Sequence, residues 1–172
     1  VMQTVPKGDI HFMKITCQKS DLLSSVNIAL IAVPAKSTMP ILECIAIDVT
    51  DSFIKFTTND MELGIETIVK GDVLETGSIA INAKIFSDIV RKLPENDVVI
   101  ETNSNYMTTI TCEKSKFNIA GKSGEDFSYL PVIEKKIPVI LSQFTLKEAV
   151  RQTIFSIADN DTNKLMTGEL FE

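Results

Sequence analysis

A chain of 172 residues with 44% hydrophobic and 23% charged residues holds enough apolar mass for a packed core and bears no compositional mark of disorder. Its net charge of −6 argues against a protein that coats nucleic acid by general electrostatics, while leaving room for a local basic surface. The longest apolar run, Ile28 to Val33, is too short to span a membrane, and no basic stretch leads into an apolar segment near Val1, so a soluble, cytoplasmic protein is expected.

Val1 to Phe12, with Pro6, Gly8 and the single His11, shows no periodicity and reads as an upstream extension or expression remnant. Met13-Lys-Ile-Thr-Cys17 alternates apolar and polar residues, as a half-buried strand does. Ser20 and Asp21 offer helix-capping chemistry. Leu22, Leu23, Val26, Ala29, Leu30 and Val33 then recur on one helical face, with Ser24, Ser25 and Asn27 on the other. Pro34 ends this helix, and Lys36 to Pro40 is a loop. Leu42 to Val49 and Phe53 to Thr58 read as a hairpin closed by Thr50-Asp-Ser52. Met61 to Val69 and Ser78 to Ile81 extend the sheet, with breaks at Gly71 and Gly77. Asn82 can cap a second helix with a buried stripe of Ile85, Phe86, Ile89, Val90 and Leu93. Its solvent face carries Lys84, Asp88, Arg91 and Lys92, and Pro94 stops it. Three short strands follow: Val98 to Thr102, Met107 to Cys112 and Lys116 to Ala120.

Strands joined by short turns pair antiparallel, and two amphipathic helices must cover one face. Residues 13–131 are therefore expected to form an α+β domain, and residues 132–138 a linker. Val139-Ile-Leu141 then reads as a strand, with Leu146, Ala149, Val150 and Thr153 on one face of a capped helix. Asp159 to Lys164 is a polar loop leading to a strand at Leu165 to Phe171. Laid on the first copy, Leu146 falls on Leu23, Ala149 on Val26, Thr162 on Thr38 and Leu165 on Ile41, with few identities. Residues 139–172 cannot bury a core of their own, so they are expected to be the incomplete start of a second domain in a longer protein.

The single histidine leaves no Ser–His or Cys–His pair within the domain, and no phosphate-binding or dinucleotide-binding glycine pattern is present. Cys17, Cys44 and Cys112 are widely spaced and lack a neighbouring Cys or His, the pattern of buried free thiols rather than metal ligands. Asp48, Asp51, Asp60 and Glu62 are close enough in sequence for a two-metal site, but their places at strand ends fit turn chemistry better. A non-catalytic protein without metal or cofactor is expected. An α+β interaction module unrelated to DNA is the rival non-catalytic reading.

Several segments, in order, are similar to those of the bacterial DNA sliding clamp family. Lys36-Ser-Thr-Met-Pro-Ile-Leu42 resembles the family's T-L-P-I-L segment, and Thr58-Asn-Asp-Met-Glu62 its T-D-L-E turn. Ile81-Asn-Ala-Lys84 and Leu93-Pro-Glu95 resemble the flanks of its second helix. Ser115-Lys-Phe-Asn-Ile119 resembles an edge strand, and Glu125-Asp-Phe-Ser-Tyr-Leu-Pro131 the D-F-x-x-L-P that closes its first domain. Phe155-Ser-Ile-Ala158 and Gly168-Glu-Leu-Phe-Glu172 continue the likeness, which runs from Met13 to the end.

The resemblance implies a clamp fold, an antiparallel sheet with two pore-lining helices per repeat domain, in a processivity factor that encircles duplex DNA without sequence specificity. It implies a head-to-tail homodimer that meets a clamp loader and DNA polymerases through domains beyond this chain. By the same resemblance the polar helical faces point at DNA. Ser24 and Asn27 then give weak, water-bridged contacts, and Lys84, Arg91 and Lys92 give long-range phosphate contacts. Lys36, Asn160 and Lys164, with Leu165 beside it, fall at DNA-contacting loop positions. Lys116, Phe117 and Ile119 lie on the strand that pairs across the subunit boundary, although alternation also allows Phe117 and Ile119 to face their own core.

Overall fold

The computed structural model describes residues 13–129 and 139–171, so the expected extension at 1–12, the boundary at Pro131 and the linker at 132–138 lie outside the described residues. The chain divides into two compact units, Val1–Pro131 and Val132–Glu172. Among the described residues, no helix is long and apolar enough to cross a membrane.

The first unit runs β1 (Lys14–Gln18), α1 (Lys19–Ala29), β2 (Cys44–Thr50), β3 (Phe53–Asn59), β4 (Gly64–Val69) and β5 (Asp72–Glu75). It continues with β6 (Gly77–Asn82), α2 (Ala83–Lys92), β7 (Asp97–Thr102), β8 (Met107–Cys112) and β9 (Ser115–Ser123). The strands pair antiparallel in the order β4-β3-β2-β6-β9-β8-β7-β1-β5. This order contains a local twofold: β1-α1-β2-β3-β4 and β6-α2-β7-β8-β9 are the same unit twice, and β2–β6 answers to β7–β1.

The twofold explains a strand that the sequence pattern hides. β9 pairs with β8 from Ser115 to Ala120, then turns so that Gly121, Lys122 and Ser123 pair with β6. β4 and β5 do this in two pieces, β4 lying on β3 and β5, after Lys70-Gly71, lying on β1. Both corners bring the backbone too close to a neighbouring strand for a side chain. A Cβ at Gly71 would stand 2.5 Å from the Thr16 carbonyl oxygen, and one at Gly121 would stand 2.8 Å from Ile79 Cδ1 and 3.0 Å from the Ala80 carbonyl oxygen. The break expected at Gly71 is thus a corner within a strand, and β5 is a strand that the sequence pattern does not show.

Alternation along β2 sends Ile45, Ile47 and Val49 to the main core, where they join Leu22, Val26 and Ala29 of α1 and Phe86 and Val90 of α2. Cys44 and Ala46 point the other way, toward Ala80 and Phe127. Phe86 meets Phe56 of β3 edge-on, ring centroids 6.0 Å apart at 72°. Each fully buried aromatic or aliphatic side chain contributes roughly 1.5–3 kcal/mol, so this core fastens both helices to the sheet.

Several local expectations are corrected by tertiary contacts. α1 begins at Lys19 rather than after a Ser20 or Asp21 cap, and the cap residue Gln18 makes no side-chain cap bond. The Lys19 N–H donates to the Asn96 carbonyl at 3.1 Å, and the buried Lys19 ammonium pairs with Glu95, so a distant loop replaces the local cap. Ser25, expected on the polar face, is buried, and Ile85, expected in the buried stripe of α2, is 51% exposed. The buried face of α2 is Ala83, Phe86, Ser87 and Val90, which rotates the stripe away from Ile85. The strand expected from Met61 starts at Gly64, because Met61 adopts φ 78° and Asp60 accepts from the N–H groups of Glu62 (2.9 Å) and Leu63 (2.7 Å). The strand expected from Leu42 starts at Cys44, after a 3-10 turn at Pro40–Glu43.

In the second unit α3 (Gln143–Thr153) forms as expected from its cap, with Ser142 Oγ accepting from the Thr145 N–H at 3.0 Å. The two strands expected here do not form. Val139 to Leu141 is irregular, and Asp161–Thr167 is a 3-10 segment kinked at Asn163. A strand needs a neighbour for its backbone groups, and no strand forms among the described residues of this unit.

Candidate nucleic-acid interface

α1 and α2 pack against one another and against the sheet, leaving one face of each helix uncovered. Helical period fixes what those faces carry. On α1, burial of Leu22, Val26 and Ala29 leaves Ser20, Ser24, Asn27 and Ile28 exposed, with no formal charge among them. On α2, burial of Phe86 and Val90 leaves Lys84, Ile85, Asp88, Arg91 and Lys92 exposed. The Asn82 side chain starts α2 by accepting from the Ile85 N–H at 3.0 Å, and Arg91 and Lys92 sit in its last turn, where cations suit the helix dipole.

The expected DNA-facing residues of the first unit therefore lie on two adjacent helices. Lys36 is exposed in the loop after α1. Among the described residues, Lys36, Lys84, Arg91 and Lys92 form no ion pair, so their charges are uncompensated by a bonded carboxylate. Arg91 donates through Nη2 to Asn27 Oδ1 at 3.2 Å, a bond between the two helices that sequence spacing does not reveal. Apolar side chains share this face, with Ile28 45% and Ile85 51% exposed, so the wall is less polar than its sequence pattern predicts. In the second unit Asn160 and Leu165 are exposed, while the Lys164 side chain lies outside the described ones.

On β9, Ile119 is 5% exposed within the main core, Phe117 packs partly buried against it, and Lys116 is exposed. The two apolar side chains thus face inward. From Ser115 to Ala120 the strand is paired on its β8 side alone among the described residues, which leaves a backbone edge open.

Asp48 and Asp60, two of the four acidic residues considered as metal ligands, are engaged separately. Asp48 accepts from Ser78 Oγ at 2.7 Å and from Tyr129 Oη at 3.0 Å. Asp60 caps its turn, and the N–H groups of Leu63 and Glu62 hold its carboxyl below the usual carboxylate range. Among the described residues, no group of three or more His, Cys, Asp or Glu side chains converges to hold a metal.

Residues 13–131 match the family model described as DNA polymerase III beta subunit, N-terminal domain. The beta sliding clamp of Bacillus subtilis (strain 168) is 36% identical over 164 residues, an alignment covering 91% of this chain and 43% of that protein. The beta sliding clamp of Synechocystis sp. is 32% identical, with 91% and 42% covered. Among solved structures, a protein of Eubacterium rectale ATCC 33656 assigned as a DNA polymerase III beta subunit has a TM-score of 0.84 at 63% identity, covering 91% of this chain and 43% of that one. The DNA polymerase sliding clamp of Bacillus subtilis has a TM-score of 0.83 at 34% identity, with 90% and 43% covered. The chain spans less than half the length of these relatives. With this α+β fold shared and the family model matched along most of its length, the chain belongs to the DNA polymerase III beta subunit family, the bacterial sliding clamps.

Proposed function

We propose that this chain is the N-terminal part of a ring-shaped processivity factor that encircles duplex DNA, slides without sequence specificity and tethers the replicative polymerase without catalysing any reaction. The observation that carries the reading is the exposed face of α2. Lys84, Arg91 and Lys92, free of ion pairs among the described residues, lie beside a face of α1 whose fully exposed residues are uncharged, with half-buried Asp21 in its first turn, in a protein whose net charge is −6. A local group of unpaired cations favours DNA there even in a protein that is acidic as a whole. The same reading gives Ser24 a water-bridged contact and gives Lys36, Asn160 and Lys164 loop contacts to the backbone. The open β9 edge, with Lys116 and Phe117 beside it and Ile119 supporting it from the core, then pairs with a second subunit in a head-to-tail homodimer. A clamp loader and polymerases engage domains beyond this chain, in the cytoplasm.

The test is retention of the full-length protein on DNA after loading by its clamp loader. Retention on nicked circles with run-off from linear duplex is expected, and Lys36→Glu with Lys84→Glu should weaken loading at physiological salt. Equal retention on circles and linear ends refutes the clamp reading in favour of a general interaction module, and unchanged loading removes these two lysines from it.

A further inference from the structure

We propose that Asn27 is a positioning residue for Arg91, holding the guanidinium at the seam between α1 and α2, and that it acts on DNA through Arg91 rather than by touching DNA itself. The inference rests on the reading of these helices as a DNA-facing wall. The Arg91 Nη2 to Asn27 Oδ1 bond, 3.2 Å, is the only side-chain hydrogen bond joining α1 to α2 among the described residues. Its place follows from the local twofold. Counted from the cap residues Gln18 and Asn82, Asn27 and Arg91 occupy the same position on their helices, as do the buried pairs Leu22 and Phe86, and Val26 and Val90. A residue that touches its own equivalent sits where the symmetry axis passes, so this bond marks the crossing of the two helices.

The chemistry suits a positioning role. Arginine offers five N–H donors in a planar fork, so one donated to Asn27 leaves the others for phosphate oxygens. Asparagine accepts without cancelling the charge, whereas a carboxylate in its place would neutralise it. Asp88, one turn before Arg91 on the same exposed face, makes no ion pair with it among the described residues, so the neutral partner is the one engaged.

The experiment measures duplex binding by the full-length protein across a salt series, for N27A, R91A, the double variant, and R91K with and without N27A. R91A should lower the slope of log affinity against log salt by about 0.9, the value of one phosphate contact. N27A should weaken binding about threefold, the scale of one modest hydrogen bond, and keep the slope, because the charge remains. Adding N27A to R91A or to R91K should change nothing further, since lysine lacks the fork that Asn27 holds. A double variant weaker than R91A by the whole N27A factor means that Asn27 meets DNA independently, and overturns the proposal. N27A or R91A binding like the wild type overturns it too. Retention on circular DNA, scored on the same preparations, tells whether the clamp reading stands when this proposal falls.

Discussion

Replacing Gly71 with alanine tests whether the β4–β5 corner depends on the absence of a side chain. The new Cβ would stand 2.5 Å from the Thr16 carbonyl oxygen and 2.8 Å from Cys17 Cβ. Both atoms belong to β1, which lies between β5 and β7, so neither can swing away as a flexible side-chain tip could. Relief requires β5 to slide off β1 or β1 to shift within the core. Overpacking a tight site costs about 1–3 kcal/mol, and a backbone oxygen at this distance places Gly71→Ala at ~3 kcal/mol. That is a large share of the roughly 5–15 kcal/mol that holds a domain folded. Gly121→Ala should cost ~2 kcal/mol, because its nearest neighbour, Ile79 Cδ1 at 2.8 Å, is a methyl that can turn aside. Gly168→Ala, with nothing within 4 Å of its Cβ, should stay within about 0.5 kcal/mol of the wild type. Equilibrium unfolding in urea, followed by circular dichroism with the slope held common, reads all three. Gly71→Ala as stable as Gly168→Ala refutes the argument that β4 and β5 are one strand bent at a forced glycine.

Phe86→Ala should cost about 3–5 kcal/mol for the lost side chain and its cavity, and about 0.5–1.5 kcal/mol more for the edge-on contact with Phe56. Urea unfolding measures it, and a loss below about 1 kcal/mol would mean that α2 is not fastened to the sheet here. Thr58→Val adds apolar surface yet should cost about 0.5–1.5 kcal/mol, because the fully buried Thr58 hydroxyl donates to the Ala29 carbonyl at 2.5 Å and valine removes that bond. A neutral or stabilising result overturns this assignment. Burial first, and then Asp21 and Asp97, push the Cys17 thiol up to about 12 from an ordinary value of 9.0. The folded state therefore keeps a proton that the unfolded chain releases. The stabilisation is whole below about pH 9 and is lost as the pH climbs toward 12. Cys17→Ala should flatten that alkaline limb in part, since burial and then Asp48 also raise Tyr129, and an equally steep limb in the variant counts against it.

Features fixed by local chemistry were legible in the sequence, and features fixed by distant contacts were not. Asn82 announces α2 because its cap bond reaches only three residues ahead, to Ile85. β8 is read from Met107 to Cys112 because turn residues bound it on both sides. Local pattern places the start of α1 too late because the partner of the Lys19 N–H is Asn96, a residue no local pattern connects to it. Spacing alone assigns Ile85 to the core because Ile85 and Ile89 satisfy helical spacing as well as Phe86 and Val90 do, and only packing sets the phase of the stripe. β5 has no sequence signature because Asp72 to Glu75 is mostly exposed and follows a glycine. At the candidate site, Lys84, Arg91 and Lys92 were recoverable as the face left over once the buried stripe is drawn. The Asn27–Arg91 bond was not, since the equivalence of the two helices lies in position rather than identity. The role proposed for Lys36 rests on family resemblance, because a lone lysine in a loop has no signature of its own.

The electrostatics of this wall also bear on why a clamp would need a ring. If Lys84, Arg91 and Lys92 each neutralise one phosphate, the salt slope is about 2.7, and a fourfold rise in salt weakens binding ~40-fold. Asp88 among the cations, and exposed Ile28 and Ile85 that offer phosphates nothing, hold the grip well below what a fully basic face would give. Contacts this few and this sensitive to salt cannot keep a protein on DNA for long, yet stronger ones would pin it in place. Weak attraction at the wall and retention by closure are therefore complementary. On the proposed function the helices need supply only weak attraction, the acidic surface elsewhere disfavours DNA, and persistence would come from ring closure rather than from any residue that touches the duplex.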